Sequence, residues 1–299
     1  MNAHANPVNF NRPIYTKTAR FDAQERALTE DEMRAVAPSI FAVTAHESRS
    51  QRFRPIPTID ILRGLAKEGF HAVGVVQGGS RTEDRREFTK HMVRLRRLDE
   101  GRKYQVNDTV AEILLKNAND GTSAYDLMSG LFRVRCLNSL VTQTATFDTL
   151  KVRHSGDAVR EVIEGTYRVL GQTEAALTAP QEWEKIVLAQ PMRQALAEAA
   201  HVLRFADAEG MVNTPIQADQ LLRARRMDDR ANDLWTTFNV VQENVLRGGL
   251  TGRKEGVQRG IRGRRVTTRD VNGIDQSVKL NQALWVLGER MASALKSAA

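Results

Sequence analysis

The spacing of apolar positions changes near residue 155, from short runs and alternations before it to a helical repeat after it. Residues 1–20 carry no periodic pattern and read as a polar arm. Thr29 followed by Glu32 forms a capping box, so a short helix is expected to start there and to stop before Pro38, which lacks a backbone donor. Ile40 to Ala45 reads as a short strand. Thr58 is placed as the N-cap of a second helix, with Ile59, Leu62 and Leu65 on one face and Gly69 as its C-cap. Phe70–Gln77 is Val-rich and runs into Gly78, Gly79 and Ser80, a strand followed by its turn. In residues 88–98, Val93 and Leu95 alternate with Lys90, Met92, Arg94 and Arg96, the pattern of a half-buried antiparallel strand with one cationic face. Thr109 to Lys116 is a further strand, and Ser123 is expected to cap a helix that carries Leu127, Leu131 and Phe132. The first half therefore reads α-β-α-β-β-β-α, and residues 21–155 are expected to form an α+β core with a mainly antiparallel sheet.

After a boundary placed at Lys151–Gly156, Ala, Leu and Glu become more frequent. Residues 156–299 read as a mostly helical region, with helices over 157–172, 181–206, 216–225, 230–247 and 276–296. Leu234, Phe238, Val241 and Val245 form one apolar stripe, and Leu280, Leu284, Leu287 and Met291 another. Trp235 and Trp285 are expected to anchor that helix pair, with Gln242 and Asn244 as polar neighbours. Between the two helices, residues 247–269 break the pattern. Eight basic residues (Arg247, Arg253, Lys254, Arg259, Arg262, Arg264, Arg265 and Arg269) face a single acid, Glu255, among six glycines. Glycine lets the backbone approach a polyanion closely and arginine supplies phosphate contacts, so this segment is expected to be a loop that an anionic partner orders.

Charge gives that loop a context. The 299 residues include 44 Lys+Arg against 36 Asp+Glu, a net charge of +8, and 34 of the basic residues are arginine. The guanidinium fork suits phosphate and stacks on bases, which raises nucleic acid as a partner. A second basic stretch, 81–103, holds nine basic residues against five acids. Arg81, Arg85, Arg86, Lys90, Arg94 and Arg96 are expected to line a strip that follows a single strand's backbone, with Phe53, Phe88 and Tyr104 near enough in sequence to stack bases. Arg253, Lys254, Arg259, Arg262, Arg264 and Arg265 are expected to clamp the backbone from the loop.

Other chemistry is sparse. No apolar run reaches the ~18–20 residues of a membrane helix, and residues 1–13 lack the apolar core of a secretory signal, so a soluble cytoplasmic protein without a membrane partner is expected. A single cysteine, Cys136, excludes an intramolecular disulfide and a paired-cysteine metal site, and reads as a small core residue. Asn117 to Gly121 is a polar turn, while His91 and His154 have no partner at ligand spacing. Gly248 to Lys254 has the wrong glycine spacing for a nucleotide-binding loop, and no serine elbow occurs. No catalytic residue, metal or cofactor is assigned on these grounds.

Several segments taken together resemble the domain-of-unknown-function 932 family, whose proteins are carried by phages, plasmids and integrative elements. They are Arg52–Thr58, Gly69–Phe70, Lys90–Met92 with Arg94 and Arg96, Asn117–Gly121, Gly130–Val141, His154 with Gly156, Gln242–Gly249 and Leu280–Leu287. Ala118 and Asn119 stand where the family pattern has Ser and His, and Ser139 where it has Gly; a His that is catalytic elsewhere in the family would be missing here, which weighs against an enzyme. The resemblance implies DNA transactions of mobile elements. A first half with a cationic sheet face is similar in order to single-strand annealing proteins of the Rad-fifty-two, Red-beta and RecT groups, which work without ATP as rings or filaments. The expected function is thus ATP-independent binding and annealing of single-stranded DNA by a homo-oligomer. Two alternatives stand beside it: an anti-restriction or host-defence modulator that binds protein, and a metal-dependent nuclease using Asp120 and His91.

Overall fold

The structure is a computed structural model and describes residues 14–15, 27–44, 57–79, 86–98, 108–120, 123, 125–133, 140–142, 149–152, 157–254 and 263–297. After a two-residue strand β1 (Ile14–Tyr15), helix α1 (Glu30–Val36) starts where the capping box requires. The Glu32 amide donates to Thr29 Oγ1 at 3.2 Å and the Thr29 amide to Glu32 Oε2 at 2.9 Å. The expected strand at Ile40–Ala45 is instead a 3-10 turn, Pro38–Phe41, since Pro38 presets the backbone at its first position and Ile40 inserts into the core. Helix α2 (Thr58–Lys67) begins on Pro57, and Thr58 lies inside its first turn rather than capping it.

The sheet strands are β2 (Phe70–Gln77), β3 (His91–Arg97), β4 (Thr109–Asn117), β5 (Tyr125–Arg133), β6 (Leu140–Thr142) and β7 (Leu150–Val152). A short 3-10 turn, Arg86–Phe88, separates β2 from β3. All pairings are antiparallel in the order β1-β2-β3-β4-β5-β6, and β7 shares β5 with β6. The helix expected after Ser123 is strand β5, paired with β4 from Thr109 opposite Arg133 to Lys116 opposite Asp126. Tyr125 and Leu127 point to one face while Met128 and Phe132 point to the other, and all four are buried. A strand covered on both faces reads as a near-continuous apolar run, in which helical spacing appears by accident.

The helices that follow are α3 (Ala158–Ala176), α4 (Thr178–Glu184), α5 (Gln190–Phe205), α6 (Leu234–Arg247) and α7 (Ile274–Ser297). Pro191 opens α5, so the span expected as one helix at 181–206 is two, and 216–225 holds only the 3-10 turn Ala218–Leu222. One face of the sheet buries Phe70, Val93, Ile113 and Leu127 against Ile61 and Leu65 of α2 and Val162 of α3. Ile274 and Val278 of α7 pack on the opposite face with Met92, Leu114 and Phe132. A third cluster lies in the C-terminal half, where Trp183 of α4 stacks on Trp285 at 4.7 Å and meets Phe238 edge-on at 5.4 Å. Gly288 makes room for that stack, because a Cβ there would sit 2.5 Å from the Trp183 ring. The molecule is thus α+β, with an antiparallel sheet in the first half and helices in the second. Among the described residues no helix is long and apolar enough to cross a membrane.

Candidate functional site

The basic segment after α6 folds, in its described part, as an antiparallel hairpin stem. Strand β8 (Thr251–Arg253) pairs with β9 (Arg265–Thr267), with Arg253 directly opposite Arg265. The Lys254 amide donates to the Arg264 carbonyl at 3.1 Å, extending the ladder by one rung. The expectation of a loop without structure of its own is therefore corrected for 251–254 and 263–267, while Arg259 and Arg262 lie outside the described residues.

The end of α6 fixes where this hairpin stands. Gly248 has φ 64°, and a Cβ on it would lie 2.5 Å from the Arg269 carbonyl carbon, so the close return of the chain requires glycine. At Gly252 a Cβ would lie 2.2 Å from the Pro215 carbonyl oxygen. Asn244 is buried and donates to the carbonyls of Leu221 and Arg223 at 2.9 Å each, while its Oδ1 accepts from Arg225 Nε at 2.7 Å. The same Arg225 bonds the Gly248 carbonyl through Nη2. Arg204 reaches the carbonyls of Val245 and Arg269, both at 3.1 Å. Burial pulls the pKa of both guanidinium groups down from the usual arginine value. These two arginines are structural braces, and the segment Gln242–Gly249 is the footing of the hairpin.

On that footing Arg253, Lys254, Arg264 and Arg265 are all exposed. Among the described residues none of the four has an acidic partner. Like charges directly opposite on paired strands repel. An anion bridging Arg253 and Arg265 removes that repulsion, and two forked donors side by side suit phosphate oxygens. Arg247 differs: with Arg226 it neutralises the buried Glu243 carboxylate, at 2.8 and 3.0 Å.

The second basic set has a different fate. The sequence implies a solvated cationic face on β3, but neighbouring acids consume it. Arg94 grips Glu112 of β4 through Nε at 2.6 Å and Nη2 at 2.8 Å, and its guanidinium lies 3.7 Å over the Phe132 ring. Arg96 is buried and bonds the same carboxylate through Nε at 3.0 Å and through Nη2. Lys90 pairs with Asp275 at 2.6 Å, and Lys116 with Asp275 at 3.0 Å and Asp126 at 2.9 Å. Burial opposes the charge on Lys116, but Asp126 and Asp275 outweigh it and raise the ammonium pKa. Burial likewise opposes ionisation of Asp275, yet Lys90 and Lys116 hold its carboxyl below the ordinary range. Arg86 is half-buried, with its carbonyl accepting from Gln77 Nε2 at 2.9 Å, and Arg81 and Arg85 lie outside the described residues. Sequence reasoning missed Glu112 and Asp275 as the partners; Asp275 is 185 residues from Lys90, and no local pattern joins them.

Several of the family-like segments converge at one end of the sheet. His91 is fully buried, with Nδ1 2.8 Å from Ser39 Oγ and Nε2 2.9 Å from Thr58 Oγ1. Gln77 Oε1 accepts from the Ser39 amide and hydroxyl, Asn117 donates to Thr58 Oγ1 at 3.0 Å, and Asn119 donates to the Ser39 carbonyl at 2.9 Å. Desolvation raises the pKa of the neighbouring Tyr125, which keeps that hydroxyl neutral. With both ring nitrogens engaged and no exposed surface, His91 is a tie between the 3-10 turn, α2 and the sheet. It offers no nitrogen to a metal, which removes the geometric basis for pairing it with Asp120. Among the described residues no three His, Cys, Asp or Glu side chains form a metal cluster. Phe53, Tyr104, Cys136 and His154 lie outside the described residues.

Comparison with known proteins defines the class to which this arrangement belongs. The model of a domain of unknown function, DUF932, matches residues 45–285. UPF0380 protein YfjQ and UPF0380 protein YafZ of Escherichia coli (strain K12) are each 44% identical over 273 residues, covering 91% of this chain and 94% of theirs. No solved structure matches. The chain belongs to the DUF932 family, and the matched span holds the hairpin footing and all of the buried tie except the turn that carries Ser39.

Proposed function

We propose that this protein binds single-stranded DNA through the β8–β9 hairpin and promotes pairing of complementary strands without a nucleotide cofactor, as a homo-oligomer serving the DNA transactions of a mobile element. The observation that carries the reading is the fixed hairpin with Arg253 opposite Arg265 and with Lys254 and Arg264 beside them, all exposed and lacking acidic partners among the described residues. Contacts made to phosphate carry no sequence information and leave base edges free, which is what strand pairing demands. Because Arg94, Arg96 and Lys90 are bound to Glu112 and Asp275, the reading rests on the hairpin and not on the sheet face. A second reading, a protein partner, has one observation in its favour: Met192, Val202 and Leu203 of α5 are apolar and exposed.

The test is fluorescence anisotropy of a labelled single strand over a salt series, followed by addition of its complement. Replacing Arg253, Lys254, Arg264 and Arg265 by Gln together is expected to lower the slope of log K against log salt by about 3, from roughly 0.7 per phosphate contact on a single strand. Accelerated pairing by the wild type completes the expected result. No binding at low salt, or an unchanged slope in the fourfold variant, overturns the reading.

A further inference from the structure

A cavity of about 210 Å³ opens beside the first turns of α5 and α6, and its wall includes Arg193, Asp229, Arg230, Asn232, Thr237 and Val240. Two polar atoms in that wall are buried without a hydrogen-bond partner: Arg193 Nε and Thr237 Oγ1. Thr237 is only 2% exposed, so its hydroxyl is withdrawn from solvent and left unsatisfied. A buried polar group in that condition destabilises the fold unless something occupies the site. The Arg193 side chain is held in place by its other arm, since Nη1 donates to Asn232 Oδ1 at 2.7 Å. That bond leaves Nε as a preset donor.

The electrostatics select the ligand. Arg193 and Arg230 bring two positive charges, and the start of α5 adds a dipole that favours negative charge, whereas the start of α6 is already capped by the Asp233 carboxylate, which accepts from the Thr236 amide at 2.7 Å. The N-cap of α5 is Ala189, which supplies no side-chain hydrogen bond to the first turn. Asp229 is the one acid among the wall residues; it is buried and stands 3.9 Å from Arg226. A carboxylate beside an anion is tolerated when that anion still carries a proton to donate to it. The wall therefore combines donors for an oxyanion with an acceptor for its hydroxyl.

We infer that this cavity binds a phosphate group in its protonated form, through Arg193 Nε, Thr237 Oγ1 and Arg230, with Asp229 accepting from the P–OH. The inference does not rest on the hairpin's binding nucleic acid. The phosphate belongs either to a small phosphorylated molecule or to a nucleic-acid end.

Calorimetric titration of the full chain with inorganic phosphate, against sulfate at matched ionic strength, tests the inference. Saturable phosphate binding is expected, with sulfate at least tenfold weaker because it has no proton for Asp229. Arg193→Gln and Thr237→Val are each expected to weaken phosphate binding about tenfold, the size of one hydrogen bond to a charged group. Thr237→Val should leave the melting temperature of the phosphate-free protein unchanged or higher, because it removes an unsatisfied hydroxyl. The source of the phosphate is read in the fourfold hairpin variant. Competition by a 5′-phosphorylated oligonucleotide, with none by its unphosphorylated twin, assigns the site to a nucleic-acid end, and competition by neither assigns it to a small molecule. Absence of saturable binding, equal binding of sulfate, or full affinity in both variants overturns the inference.

Discussion

Glu112 decides the state of the sheet's cationic residues. Its buried carboxylate serves two guanidinium groups, Arg94 and Arg96, and Arg96 is only 2% exposed. Removing one partner of a buried pair leaves a charge uncompensated, at a cost of about 3–5 kcal/mol. Glu112→Gln is thus expected to destabilise the fold by about 3 kcal/mol or more, read as a lower denaturant midpoint. Were Arg94 and Arg96 a solvated face, the same substitution would be nearly neutral. The buried tie makes a smaller claim of the same kind. Ser39→Ala removes a donor to Gln77 and a partner of His91 Nδ1, and is expected to cost about 1–3 kcal/mol, with nucleic-acid affinity unaltered in the remaining folded protein. At this scale the sequence announced which residues were special, His91, Thr58 and Asn117 among them, because they lie in the family-like segments. It did not announce why, since a histidine in a basic strand looks the same whether it meets a metal, a phosphate or two hydroxyls.

Elements with local causes were legible and elements made by pairing were not. The capping box of α1, the Val-rich β2 and the two stripes of α6 and α7 stand where their patterns place them, because caps and apolar stripes at helical spacing are written within a dozen residues. Strand β5 reads as a helix in the sequence because both of its faces are covered, so its apolar residues show no strand alternation. Two predictions belong here. Gly252→Ala forces a Cβ against the Pro215 carbonyl oxygen, displacing the hairpin from its footing. Reduced single-strand affinity with a nearly unchanged salt slope is expected, since the cations remain but their placement is lost. The start of α7 supplies a pH effect. Asp275 has its pKa lowered in the fold, so its ion pairs contribute fully above the unfolded carboxyl value of about 3.9 and are lost as pH falls through the lower folded value. The difference in melting temperature between wild type and Asp275→Asn is therefore expected to shrink as pH drops from about 6 towards about 3.

For the whole molecule, the net charge of +8 favours association with anions without saying where they dock. The sequence by itself determined the α+β class, the change of texture into helices and the basic segment after α6, since composition and local spacing carry all three, and it pointed to the family through the segments that resemble it. Only the tertiary structure decided which cations are free. Arg94, Arg96 and Lys90 look like Arg253 and Arg265 in the sequence, yet the first three meet Glu112 and Asp275. The last two face each other on a hairpin whose described surroundings hold no acid for them. The physical reason is that a charge is spent or available according to what lies within about 4 Å of it, and for these residues that neighbour comes from a distant part of the chain.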